Sequence, residues 1–134
     1  MNANRNLIKL WLDRAIINLE RAKLSSNSSK ILYEDLCFDC QQAVEKSLKA
    51  LLISKNIEFP KTHSINVLLT LLREEDEYLP EFLDDSIILT DYSVETRYPG
   101  DYEPVQKEDY EEALTIADKV VDWVENRLRN SSLF

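Results

Sequence analysis

Leu36-Cys37-Phe38-Asp39-Cys40-Gln41-Gln42-Ala43-Val44-Glu45-Lys46-Ser47-Leu48-Lys49-Ala50-Leu51-Leu52-Ile53 is the stretch whose reading decides the fold. Cys37, Cys40, Val44, Leu48 and Leu51 recur at the 3- and 4-residue steps of a helix and form one apolar stripe. Phe38, Ala50, Leu52 and Ile53 widen the apolar surface beyond that stripe. A helix with more than one apolar face packs against several neighbours. This run therefore reads as the central helix of a bundle, extending from about Leu32 to Asn56, with Asn56 as its C-terminal signal and Pro60 just beyond.

The flanking sequence continues the pattern. A first helix spans about residues 6 to 24, with Ile8, Trp11, Leu12, Ala15, Leu19 and Ala22 on one side. Ser25-Ser26-Asn27-Ser28-Ser29 stops it, because short polar side chains compete for backbone hydrogen bonds. After the connection Phe59-Pro60-Lys61-Thr62-His63, a short third helix covers about residues 65 to 73, capped by Thr62 or Ser64. A fourth helix begins near Pro80, with Leu83, Ile87, Thr90 and Val94 as its expected stripe. Arg97 is the next position on that stripe, which would turn its guanidinium toward the bundle or a cleft in it. Pro99 is expected to end this helix, and Tyr98-Pro99-Gly100-Asp101 fits a type II turn. The last helix, about residues 107 to 129, carries the cleanest amphipathic pattern: Tyr110, Ala113, Leu114, Ala117, Val120, Val121, Val124 and Leu128. Residues 130–134 read as a frayed tail. The expected fold class is all-α, an up-and-down four-helix bundle with an additional short helix, in one domain over residues 1–134.

Composition agrees with this and narrows function. One glycine and four prolines are too few for a turn-rich β protein. No apolar run is long enough to span a membrane, and charged residues interrupt the N-terminal apolar pattern, so a cytoplasmic protein without a secretory signal is expected. The net charge of −9 argues against a general nucleic-acid coat. The charge is uneven: from Glu74 to Glu112 fifteen acidic residues face two basic ones, Arg97 and Lys107, whereas residues 1–60 hold nine basic and seven acidic. A polyanion contact would use the first two helices and Arg97; the simpler reading of the acidic half is a solvated surface.

Few residues suggest chemistry. Cys37 and Cys40 form a C-x-x-C in mid-helix, with His63 the only histidine. A structural zinc site needs about four ligands, so the pair reads as buried core cysteines and neither metal nor cofactor is expected. His63, in a connection, has a structural or solvent-facing role as its ordinary reading and a functional one as the sharper alternative. No phosphate-cradling glycine loop is present. An Arg on a buried stripe needs a carboxylate, carbonyls or a ligand phosphate, because an unpaired buried charge costs several kcal/mol. Arg97 is thus either a helix cap or ion-pair partner, or a bidentate phosphate anchor. Tyr98 and Tyr102 flank it and could stack on a base or pack at an interface.

Three stretches together resemble a known family, the HEPN domain (higher eukaryotes and prokaryotes nucleotide-binding): Cys40-Gln41-Gln42-Ala43-Val44-Glu45-Lys46-Ser47-Leu48-Lys49-Ala50, then Phe59-Pro60-Lys61-Thr62-His63-Ser64-Ile65, then Thr96-Arg97-Tyr98-Pro99. The resemblance covers nearly the whole chain. It implies an often dimeric helical bundle, commonly encoded beside a minimal nucleotidyltransferase in toxin–antitoxin pairs. Many members are metal-independent ribonucleases that use an R-x(4–6)-H motif at a dimer cleft. Arg97 matches the arginine, but residues 102 to 104 are Tyr102, Glu103 and Pro104, and His63 lies far upstream. Tyr titrates near pH 10, so the usual proton-transfer group is missing. Three readings follow. One is a module that binds nucleotide or RNA around Arg97, Tyr98, Tyr102 and His63 and partners a nucleotidyltransferase. Another is an endoribonuclease toxin with Tyr102 in place of the histidine. The third is a structural dimerisation protein. A homodimer is expected because Phe38, Ile88, Leu89, Tyr92, Tyr98 and Trp123 fall off the main stripes and would leave a patch on a monomer.

Overall fold

A computed structural model describes residues 2–24, 31–75, 78–93 and 104–131. The elements in order are α1 (Asn2–Leu24), α2 (Tyr33–Ser54), α3 (Ile65–Glu75), a 3-10 helix (Glu81–Tyr92) and α4 (Lys107–Arg129). No strand occurs among the described residues.

α2 is the hub. It packs chiefly against α1 and α4, and also against the 3-10 helix and α3. Its apolar stripe is buried as expected, and so are residues on its other sides, Asp39, Gln41, Glu45, Ser47 and Lys49. The helix starts where the Asp35 carboxylate accepts from the Leu32 N–H (3.2 Å). It ends at Ser54, and Asn56 just beyond has a left-handed φ of 59°, a conformation in which Asn costs less than most residues. The Asn56 and Ile57 N–H groups donate back to the Ile53 and Leu52 carbonyls (both 3.0 Å), the crossed pair of bonds that closes a Schellman end.

α1 contributes Ile8, Leu12, Ala15, Leu19 and Ala22 to the core, and α4 contributes Tyr110, Ala113, Ala117, Val120, Val121, Val124 and Leu128. Leu114, expected on the buried stripe, is only partly buried. The Tyr110 hydroxyl donates to the Ala22 carbonyl (2.8 Å), so the start of α4 is tied to the end of α1. Cys37 and Cys40 are both buried and are not joined in a disulfide. Burial, with the neighbouring Cys37 and Asp39 charges, pushes the Cys40 thiol far above its ordinary value, so it stays protonated and inert.

The fourth helix departs from expectation. It is a 3-10 helix, and its buried residues are Leu83, Ser86 and Leu89, one in three. In a 3-10 helix side chains at i and i+3 lie above one another, so a period of three makes one line. Ile87 and Thr90, placed on the stripe by α-helical spacing, are only partly buried, and Leu89, expected on the outside, is fully buried. The helix also ends earlier. Ser93 has extended dihedrals (φ −64°, ψ 131°), so the element stops at Tyr92, well before Pro99. Val94, Arg97 and Pro99, expected on this helix's stripe and at its end, lie outside the described residues.

Candidate functional site

The site grows from a polar line on the otherwise apolar α2. Gln41, Glu45 and Lys49 are spaced four apart and share one face. All three are buried. Glu45 is their centre. Its Oε1 accepts from Gln41 Nε2 (2.9 Å) and bonds His63 Nδ1 (2.8 Å), and its Oε2 accepts from Lys49 Nζ (2.9 Å). Gln41 Nε2 also lies 3.3 Å from the His63 carbonyl, and Gln41 Oε1 accepts from Gln42 Nε2 (2.7 Å). Burial alone would raise the Glu45 carboxyl; the bonds from Lys49, Gln41 and His63 and the Lys49 charge outweigh it and hold the group below its ordinary value. Glu45 is thus ionised at neutral pH, and an ionised carboxylate can only accept, which fixes the proton of the His63 bond on Nδ1. The chemistry the imidazole offers elsewhere is that of Nε2.

Lys49 is held on its other sides by aromatic rings. Its ammonium lies 5.5 Å from the Trp11 ring centre and 5.7 Å from that of Phe59. A cation between two rings and one carboxylate is fixed in place, because each partner offsets lost hydration.

This cluster floors an open pocket of about 670 Å³ lined by Lys49, Lys61, Thr62, His63, Ser64, Thr90 and Ser93. Its wall is the start of α3. Ser64 Oγ accepts from the Val67 N–H (3.3 Å), so Ser64, one of the two expected caps, is the capping residue. Thr62 Oγ1 accepts from the Ser64 N–H (3.0 Å), and Thr90 Oγ1 of the 3-10 helix accepts from the Ile65 N–H (3.2 Å). The pocket thus combines two ammonium groups, an imidazole and four hydroxyls at the positive end of a helix dipole. That chemistry suits an anion. Among the described residues no group of three or more His, Cys, Asp or Glu could hold a metal ion.

A second polar group crosses from α1 to α2. Asn18 Nδ2 donates to the buried Asp39 carboxylate (2.9 Å), and Asn18 Oδ1 accepts from Lys46 Nζ (2.8 Å). Arg21 lies 3.7 Å from the same carboxylate. Burial, and then the Arg14 charge, lower the Lys46 ammonium below its ordinary value.

Of the residues singled out in the sequence, His63 is in the pocket, tied to a buried carboxylate through Nδ1 while its side chain stays 38% exposed. Arg97, Tyr98 and Tyr102 lie outside the described residues; Ser93, on the pocket's lining, is the last described residue before them. Sequence reasoning passed over Glu45, Gln41, Lys49, Lys61 and Thr90. The signal was present: three polar residues four apart on a helix whose apolar residues spread over several faces demand a buried partner network.

Comparisons with known proteins agree with this architecture. The HEPN domain profile matches residues 8–127. A Methanocaldococcus jannaschii protein named "Putative toxin MJ1304" is 31% identical over 141 aligned residues, covering 94% of this chain and 91% of that one. The crystal structure of ST0689, an archaeal HEPN homologue, superposes with a TM-score of 0.71 at 30% identity, over 90% of this chain and 97% of that one. The crystal structure of TT1696 from Thermus thermophilus superposes with a TM-score of 0.73 at 34% identity, over 96% of this chain and all of that one.

Proposed function

The chain belongs to the HEPN domain family, and from that premise we propose that it is a binding module that holds the phosphate of a nucleotide or RNA segment in the pocket at His63. The carrying observation is the pocket lining: Lys49 and Lys61, His63 and four hydroxyls gathered at the start of α3, with the imidazole fixed by buried Glu45. Arg97 supplies the bidentate anchor from the segment that follows Ser93, and Tyr98 and Tyr102 stack on a base. The module works as a homodimer beside a minimal nucleotidyltransferase, in a toxin–antitoxin-like pair. The toxin name of the M. jannaschii relative supports that setting.

The same name favours a second reading, a metal-independent endoribonuclease in which Tyr102 stands where the R-x(4–6)-H motif would place its histidine. His63 adds a candidate proton-transfer group to this reading, because Glu45 holds its tautomer.

Titration of the purified chain with ATP and with a single-stranded RNA oligonucleotide tests the binding reading. Arg97→Lys keeps the charge and loses the fork, so affinity should fall by about one to two decades with little change in melting temperature. A lowered melting temperature with unchanged affinity would make Arg97 structural. Tyr102→Phe keeps the ring and removes the hydroxyl. Binding should survive it, whereas RNA cleavage abolished by both Arg97→Ala and Tyr102→Phe in folded protein would promote the nuclease.

A further inference from the structure

The outer face of α1 carries a second functional surface, separate from the pocket. Leu7, Leu10, Arg14, Ile17, Arg21 and Leu24 follow one another at steps of three and four, the spacing of a coiled-coil seam. All six are exposed. Leu10 is 48%, Ile17 56% and Leu24 74% exposed, an ordered row of aliphatic side chains rather than scattered ones. The row runs about 25 Å at the rise of a helix. None of its residues lines the pocket at His63. The opposite face of α1, with Ile8, Leu12, Ala15, Leu19 and Ala22, makes its contacts with α2 and α4, so the seam is not a core stripe.

The charges in the seam say what covers it. Arg14 and Arg21 occupy alternate seam positions, and Lys46 of α2 stands close enough to feel the Arg14 charge. A second copy laid seam to seam in parallel would set arginine against arginine, and laid antiparallel would set Arg14 against Ile17 and Arg21 against Leu10, so that each guanidinium is desolvated against an aliphatic side chain. Among the described residues, the acidic faces of α4 and the 3-10 helix fit no better. The exposed residues of α4 include Glu108, Glu111, Asp118 and Asp122 but no large apolar side chain, and the 3-10 helix offers only Ile88 among Asp84, Asp85 and Asp91. RNA would meet the arginines but waste the aliphatic row, which has no exposed ring for a base to stack on. We propose that this face binds an acidic amphipathic α-helix of a partner protein, its apolar seam seated on Leu10, Ile17 and Leu24 and its carboxylates paired with Arg14 and Arg21. Such a helix would also relieve the like-charge crowding around Lys46.

The test uses the full chain and fluorescent synthetic peptides of about three heptads. One peptide has leucine at its seam positions and glutamate beside them. A scrambled peptide keeps that composition without the spacing, and a third replaces glutamate by lysine. Only the first should bind. Ile17→Glu and the double change Arg14→Glu, Arg21→Glu should each weaken it by about tenfold or more. These positions are exposed, and circular dichroism checks that the variants fold. Equal binding of the scrambled peptide, or no effect of either variant, overturns the proposal. So does no binding of the first peptide. If a single-stranded RNA oligonucleotide binds and loses affinity in the double variant but not in Ile17→Glu, the face belongs to nucleic acid. If Ile17→Glu converts a dimer to a monomer in light scattering, a second copy covers it. None of these outcomes bears on ATP binding at His63, so this proposal and the pocket reading fail separately.

Discussion

At the scale of single residues, Glu45 governs the most. It is a buried carboxylate bonded by the side chains of Gln41, Gln42, Lys49 and His63, and two of these, Gln41 and Lys49, are themselves buried. Glu45→Gln preserves shape but leaves the ammonium without its counter-charge. Removing one member of a buried pair costs about 3–5 kcal/mol, which urea unfolding would read as a shifted midpoint. The two aromatic rings over Lys49 should place the loss toward the lower end of that range. The same residue sets an acid limit. Its folded-state pKa lies below the ordinary 4.5, so its contribution is fully present above that value and is lost as pH falls through the folded pKa. Stability measured from neutral pH downward should therefore decline in the acid range, and Glu45→Gln should flatten that decline. An unchanged acid slope in the variant would mean that Glu45 is not the group responsible.

Elements carry their own expectations. If the segment from Glu81 to Tyr92 is a 3-10 helix with Leu83, Ser86 and Leu89 inward, Leu89→Ala should cost about 2–5 kcal/mol. Ile88→Ala, at an exposed position, should stay within about 0.5 kcal/mol. An α-helix with the stripe Leu83, Ile87 and Thr90 would shift the larger loss to Ile87, so thermal unfolding of alanine variants at 87, 88 and 89 distinguishes the two periods. At the end of α2, Asn56 sits at positive φ. Asn56→Ala should cost about 1 kcal/mol because alanine keeps the Cβ that crowds the carbonyl but loses the short polar side chain that can hydrogen-bond locally, and Asn56→Gly, which has no Cβ, should restore or exceed the original stability. Equal melting temperatures for the two variants would contradict a left-handed cap.

Across the whole molecule, the dominant features are a hub helix buried on several sides and an uneven charge. Around α2, most apolar residues found their places, including Phe38 and Trp123, both partly buried, and Leu89, fully buried. The patch expected to drive a homodimer is thereby reduced, while the exposed aliphatic row has moved to α1. A homodimer remains the expectation for this family member, with the 3-10 helix and the Arg97 segment at its interface. Light scattering at about ten micromolar or above is the measurement, and a monomer there would argue against it. The acidic half should repel polyanions, so RNA affinity should depend on few phosphate contacts and have a shallow salt slope. A steep slope would require a wider basic surface than the pocket supplies. No helix among the described residues is long and apolar enough to cross a membrane.

By itself, the sequence determined the all-helical class, the order of the elements and the central place of α2. Those properties follow from local periodicity and from capping residues such as Asn56 and Ser64, whose effects act within a few residues. It also indicated, through three short motifs, the family to which the chain belongs. It did not determine the period of the fourth helix, since Leu83-Asp84-Asp85-Ser86-Ile87-Ile88-Leu89 supports both a three-residue and an α-helical apolar line. Packing against α2, α3 and α4 chose between them. The site was half legible for the same reason. His63 drew notice as a lone histidine, but its role depends on Glu45, eighteen residues away, and on Thr90 and Ser93 brought across from another element. Local pattern cannot tell a solvated glutamate from a buried one. That distinction is made only when helices close around α2 and the cost of desolvating its carboxylate must be met by Gln41, Lys49 and His63 together.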